Sequence, residues 1–84
     1  MNLLLDVTKV TAKPGYVLEL EFKNGEYRLF DMSYLMNKKP FNRLKESNAF
    51  FAARVDYGTV VWPGNIDIDP AALYDRSAPV AAQP

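Results

Sequence analysis

Residues 18–30 read LELEFKNGEYRLF, and the way this stretch pairs with itself decides the fold. Apolar and charged residues alternate on both sides of Asn24-Gly25. Alternation with period two marks a half-buried strand. Asn-Gly between two such runs is the preferred pair for a two-residue type I′ hairpin turn, whose central positions both need positive φ. That turn sets an expected register, with Lys23 opposite Glu26, Phe22 opposite Tyr27, Glu21 opposite Arg28 and Leu20 opposite Leu29. Opposite charges and apolar partners then alternate, each good pair contributing roughly 0.2–1 kcal/mol. In this register Leu18, Leu20, Phe22, Tyr27 and Leu29 share the buried face. Glu19, Glu21, Arg28 and Phe30 share the outer one. A slip of one residue exchanges the two faces.

Upstream, Leu4 to Ala12 is rich in Val, Thr and Leu and reads as another strand. Val7 and Val10 fall out of phase, which a bulge or a bend reconciles. Pro14-Gly15 turns the chain into Tyr16. Downstream, Asp31 or Ser33 is placed to cap a short helical turn through Met32–Met36, which Lys38-Lys39-Pro40 ends. A second brief turn is expected at Phe41 to Lys45. A third, capped by Ser47 or Asn48, buries Phe50 or Phe51. None is long enough to be stable without packing on a sheet. Ala52 to Trp62 reads as a second hairpin around Tyr57-Gly58. A two-residue loop pairs Val55 with Val60; a three-residue loop with a bulge at Gly58 shifts that register. Pro63-Gly64-Asn65 ends the strand, and the Pro63 peptide bond can be cis or trans. Ile66 to Ile68 is extended. Asp69 at the N-cap and Pro70 at the first helical position open a last helix through Tyr74. The pieces add up to an α+β domain over residues 1–76, a small, mostly antiparallel, meandering sheet of about five strands with short helices. Residues 77–84, SAPVAAQP, carry no charge and two prolines and read as a disordered tail.

The 84 residues suffice for one domain, near the lower limit for a single core. There is no Cys and no His. Disulfides, thiolate metal sites and Ser–His–Asp or Cys–His catalysis are therefore impossible within the chain. Ten Lys+Arg balance ten Asp+Glu. A neutral chain is a poor nucleic-acid binder, since such proteins displace phosphate counterions with Lys and Arg. The local cluster Lys38, Lys39, Arg43 and Lys45 reads as a solvated connection. No apolar run approaches the roughly 20 residues that span a bilayer. The chain is expected to be soluble and cytoplasmic, without cofactors.

Three features can carry function. Asp67 and Asp69, with Asp75 nearby, point to one side of an extended segment and can bind a hard cation; the simpler role is a helix cap and an outward carboxylate. Trp62 at a strand end either stacks on a ligand or anchors a partner, or else packs over the sheet and locks the following turn. Phe30 is the one apolar residue on the charged outer face of the first hairpin. It marks self-association or strand addition at an edge, unless a short helix covers it. Glu21, Arg28, Phe30 and Trp62 are thus the candidate partner-binding residues.

The ending WPGNIDIDPAALY, with KNGEYRLFDMSYL and PFNRLKESNAFF before it, resembles a bacterial family, the domain-of-unknown-function 2442 family. The matching positions are Asn24-Gly25, Asp31, Phe41, Leu44, Phe50 or Phe51, Trp62-Pro63, Asp67-Ile68-Asp69-Pro70 and Leu73-Tyr74. The family often reads Asn-Gly after Trp-Pro, where this sequence has Gly64-Asn65. Some longer members carry a C-terminal helix-turn-helix; nothing after Tyr74 here matches one, so no nucleic-acid role carries over. The resemblance implies a small α+β fold and no known enzyme activity. It also implies pairing with a second small protein in a toxin–antitoxin-like system. The expected function is a non-catalytic protein-interaction module, the antitoxin-like half of such a pair. The alternative is a homodimer formed through an edge strand; a carboxylate metal-binding protein ranks below both.

Overall fold

The computed structural model describes residues 6–80. Seven strands occur in them: β1 (Val7–Lys13), β2 (Val17–Phe22), β3 (Tyr27–Asp31), β4 (Arg54–Asp56), β5 (Thr59–Trp62), β6 (Ile66–Asp67) and β7 (Ala78–Pro79). One α-helix, α1 (Pro70–Asp75), and 3₁₀ segments at Ser33–Leu35 and Phe41–Ala52 complete the fold. The class is α+β, with every strand pair antiparallel. The strands form two sheets rather than one, ordered β1-β2-β3-β7 and β4-β5-β6. The long 3₁₀ stretch carries the chain from the first sheet to the second. Their inner faces share one core, in which Leu18, Leu20, Phe22 and Phe30 meet Val60, Trp62, Ile66, Leu44, Phe50 and Leu73. The Val7 amide ties the sheets together by donating to the Gly58 carbonyl at 2.9 Å.

The first hairpin forms where expected, one residue out of the expected register. Leu18 stands opposite Phe30, Leu20 opposite Arg28 and Glu21 opposite Tyr27. The connection has three residues, Lys23, Asn24 and Gly25, closed by bonds from Phe22 N to Glu26 O and from Gly25 N to Phe22 O, both 2.9 Å. Only Gly25 takes a positive φ, +92°. The Asn24 side chain explains the choice: its Oδ1 accepts from the Glu26 amide at 2.9 Å. Such a local turn holds Asn24 in an ordinary conformation and leaves the left-handed position to glycine alone. One extra loop residue reverses the facing of all of β3. Phe30 therefore enters the core, and Tyr27 and Leu29 turn outward.

The second hairpin does the reverse. Val55 pairs with Val60, and both turn residues are left-handed, Tyr57 at φ 53° and Gly58 at 72°. The type I′ turn thus occurs at Tyr-Gly, which favours it less than Asn-Gly does. In β1 the expected bulge is present: Val7 faces Phe22, Lys9 faces Glu21, and Thr8 lies between. Its hydroxyl donates to the Glu21 carbonyl at 3.1 Å. Any part of β1 expected before Asp6 lies outside the described residues.

The helical pieces follow their capping signals in part. Asp69 Oδ1 accepts from Ala71 N at 3.2 Å, with Pro70 opening α1 and Leu73 buried beneath it. Asp31 Oδ1 accepts from the Ser33 amide at 2.9 Å. Ser47 and Asn48 do not act as the expected cap. Both are left-handed, at φ 54° and 56°, and form the kink between two 3₁₀ pieces. Phe50 is buried and Phe51 exposed. Lys39–Pro40 is the cis peptide bond among the described residues, so the Pro63 bond is trans. Residues 77–80 belong to the fold and not to the expected tail. Ser77 is buried, and β7 pairs Ala78 with Leu29 and Pro79 with Arg28. Residues 81–84 lie outside the described part.

Candidate interaction surface

The register places three cross-strand rows on the outer face of the four-stranded sheet. They run Lys9, Glu21, Tyr27; then Thr11, Glu19, Leu29, Ala78; then Lys13, Val17, Asp31. Lys9 Nζ lies 3.9 Å from Glu21 Oε1 and Lys13 Nζ 3.8 Å from Glu19 Oε1. Exposed pairs at such distances add little stability but set a charge pattern. Glu21 Oε1 accepts no hydrogen bond. Beside the charges, Tyr27 and Leu29 are 53% and 41% exposed. Two residues apart on one strand, they point the same way and form one apolar spot on an open sheet face.

The four residues expected to bind a partner do not meet on this face. Glu21 lies on it. Arg28, opposite Leu20, is on the inner side. Phe30 is fully buried, opposite Leu18, with its ring edge-on to Tyr34 at 6.3 Å. The exposed aromatic expected at position 30 is thus corrected: the one-residue shift moves exposure to Tyr27 and Leu29. Trp62 is 2% exposed. It stacks on Phe50 at 6.4 Å and donates from Nε1 to the Phe50 carbonyl at 3.0 Å. Its packing role is the one realised. Nor is the hairpin at an edge, since β2 is central and β7 flanks β3. Tyr27 and Leu29 were missed because the I′ register counted them as core. The signal that could have found them is Asn24 followed by Gly25, which serves a three-residue turn as readily as a two-residue one.

Arg28 instead centres a polar clasp. Its Nη1 donates to Glu26 Oε1 at 2.7 Å, its Nε to Ser77 Oγ at 2.6 Å and its Nη2 to Ser77 O at 2.9 Å. The guanidinium carbon lies 4.2 Å from the centre of the Tyr74 ring, in cation–π geometry. The Tyr74 hydroxyl donates to Glu26 Oε2, which also accepts from Asn24 Nδ2 at 2.5 Å. These donors, Tyr74 first, then Asn24 and Arg28, hold the Glu26 carboxyl below its usual range. The same bond, with partial desolvation, pushes the Tyr74 hydroxyl up. Asp31 is lowered by its bonds to Ser33.

Asp67 and Asp69 are both exposed. Asp69 spends its side chain on the α1 cap. Among the described residues no three His, Cys, Asp or Glu side chains gather where they could hold a metal ion. No helix among them is long and apolar enough to cross a membrane.

A sequence profile described as "Protein of unknown function (DUF2442)" matches residues 7–79. The chain belongs to the DUF2442 family. The match covers every strand and helix among the described residues, so the two sheets, the clasp and β7 together lie in the DUF2442 domain. No curated protein and no solved structure matches the chain.

Proposed function

We propose that this DUF2442 domain is a non-catalytic protein-interaction module that binds a small protein partner through the outer face of its four-stranded sheet. The observation that carries this reading is the exposed pair Tyr27 and Leu29, flanked by the charged rows Lys9, Lys13 and Glu19, Glu21. Aromatic residues at the centre of a patch with a polar rim are the usual anatomy of a recognition surface. The absence of His and Cys removes the commonest catalytic bases and nucleophiles. The family resemblance supports a small partner in a toxin–antitoxin-like pair, with this chain as the antitoxin-like half. Edge-strand dimerisation is less favoured: β1 carries Lys9 and Lys13, and lysines on an edge strand discourage pairing with another copy.

The test is affinity capture of the tagged chain from its native cells, with mass spectrometry of what accompanies it. A stoichiometric small protein that is lost with Tyr27→Ala and Leu29→Lys, while Lys38→Ala retains it, supports the reading. An empty capture, or a partner that both face variants retain, overturns it.

A further inference from the structure

Strand β7 closes the outer edge of β3 with little apolar burial. Ala78 and Pro79 are both exposed. Proline has no N–H to give the ladder. The main-chain link past the paired residues is the Val80 amide donating to the Tyr27 carbonyl at 2.9 Å. What holds the segment is polar. Arg28 grips Ser77 at both Oγ and the carbonyl oxygen, and Ser77 Oγ donates to the Tyr74 carbonyl at 2.9 Å. An edge strand held by side-chain hydrogen bonds exchanges far more readily than one held by a core.

We infer that the outer edge of β3 is a strand-addition site for an extended peptide, and that the chain's own Ser77–Val80 segment occupies it as a displaceable stand-in. The seated segment defines the ligand. It needs a hydroxyl residue for the Arg28 fork, a small residue opposite Leu29, a residue opposite Arg28 that need not donate, and an amide for the Tyr27 carbonyl. Main-chain bonds supply affinity, and the serine pocket supplies selectivity. The site lies on the sheet edge, not the sheet face, so it stands or falls apart from the function proposed above. In the resting chain the tethered segment competes at high effective concentration, so a free peptide binds weakly until the clasp loosens.

The probe is a labelled synthetic peptide with the sequence of residues 75–84, titrated by fluorescence anisotropy against the full chain. Ser77→Ala, which loses both Oγ bonds, should bind it at least about tenfold tighter than the parent, since each bond is worth a several-fold factor. A peptide with its own serine changed to alanine should bind that variant roughly fivefold more weakly. A second variant keeps the test open should Ser77→Ala unfold. Leu29→Cys with Ala78→Cys joins two directly opposed residues, a geometry that a disulfide spans, and the parent has no cysteine to interfere. Oxidised, it should bind no peptide; reduced, it should bind at least as well as the parent. Peptide binding that is equal in the oxidised and reduced forms overturns the proposal. So does the absence of binding by the reduced double variant and by a folded Ser77→Ala at millimolar peptide.

Discussion

Gly58 and Asp6 are in contact across the seam between the two sheets: a Cβ on Gly58 would lie 2.8 Å from the Asp6 carboxyl carbon. The contact sits beside the bond from the Val7 amide to the Gly58 carbonyl. Gly58→Ala incurs a left-handed φ, while the Asp6 carboxylate, the free end of its side chain, swings aside. The expected loss is about 1–2 kcal/mol, from the backbone conformation. For a domain of this size that lowers the thermal midpoint by roughly 5–10 °C. A midpoint within two degrees of the parent would show that the turn leaves the left-handed conformation at little cost.

Tyr57 precedes Gly58 and is 93% exposed at φ 53°. It loses no burial on substitution, and asparagine tolerates the left-handed region better. Tyr57→Asn should stabilise the chain by about 0.5–1 kcal/mol. Urea unfolding should show a higher midpoint with an unchanged slope. A lower midpoint would mean that the tyrosine ring makes a stabilising contact its exposure does not reveal.

Phe30 and Leu29 give a direct check of the hairpin register. Phe30→Ala empties a fully buried site and should cost about 3–5 kcal/mol, a large share of the stability of an 84-residue chain. Leu29→Ala, on the outer face, should stay within about 0.5 kcal/mol. The I′ register demands the opposite order. Chemical denaturation of the two variants decides between them.

These residues also show which parts of the fold the sequence makes legible. The hairpin itself, the β1 bulge, the Asp69-Pro70 helix start and the Trp62 packing are each encoded locally, by periodicity or by a capping pair. The register was not, because Asn24-Gly25 satisfies two turns that differ by one residue. The choice between them rests on what β3 must meet: Phe30 fills the core, and Arg28 reaches Ser77, which is 49 positions away. β7 was invisible for the same reason. Ala-Pro has no strand pattern of its own and is ordered by the Arg28 clasp. The interaction surface followed the register, so an error of one residue exchanged Phe30 for Leu29.

Trp62→Phe tests the bond that fixes the indole. The substitution removes the Nε1 donor from the buried Phe50 carbonyl, which keeps the Ala53 amide at 3.3 Å. Losing one of two bonds costs about 0.5–1.5 kcal/mol, with a further loss from the smaller ring. The expected total is roughly 1–3 kcal/mol, read as a drop in ΔG of unfolding. A loss under about 0.5 kcal/mol would mean that the Ala53 amide alone satisfies the Phe50 carbonyl.

Acid should unfold the chain partly through Glu26. Its carboxyl is held below the ordinary value of 4.5 by bonds to Tyr74, Asn24 and Arg28. A depressed folded-state pKa contributes stability that is fully present above the unfolded value and is lost as pH falls through the folded one. Asp31, lowered from 3.8, acts in the same direction. Tyr74 is raised from 10.0, so its contribution is present below that pH and is lost above it. The thermal midpoint should therefore be level from about pH 6 to pH 9 and fall on both sides. Glu26→Gln keeps the side-chain shape and removes the titration. Its midpoint should be lower than the parent's at pH 7 and should decline less steeply below pH 4.5. Parallel curves for the two proteins would place the acid sensitivity in groups other than Glu26.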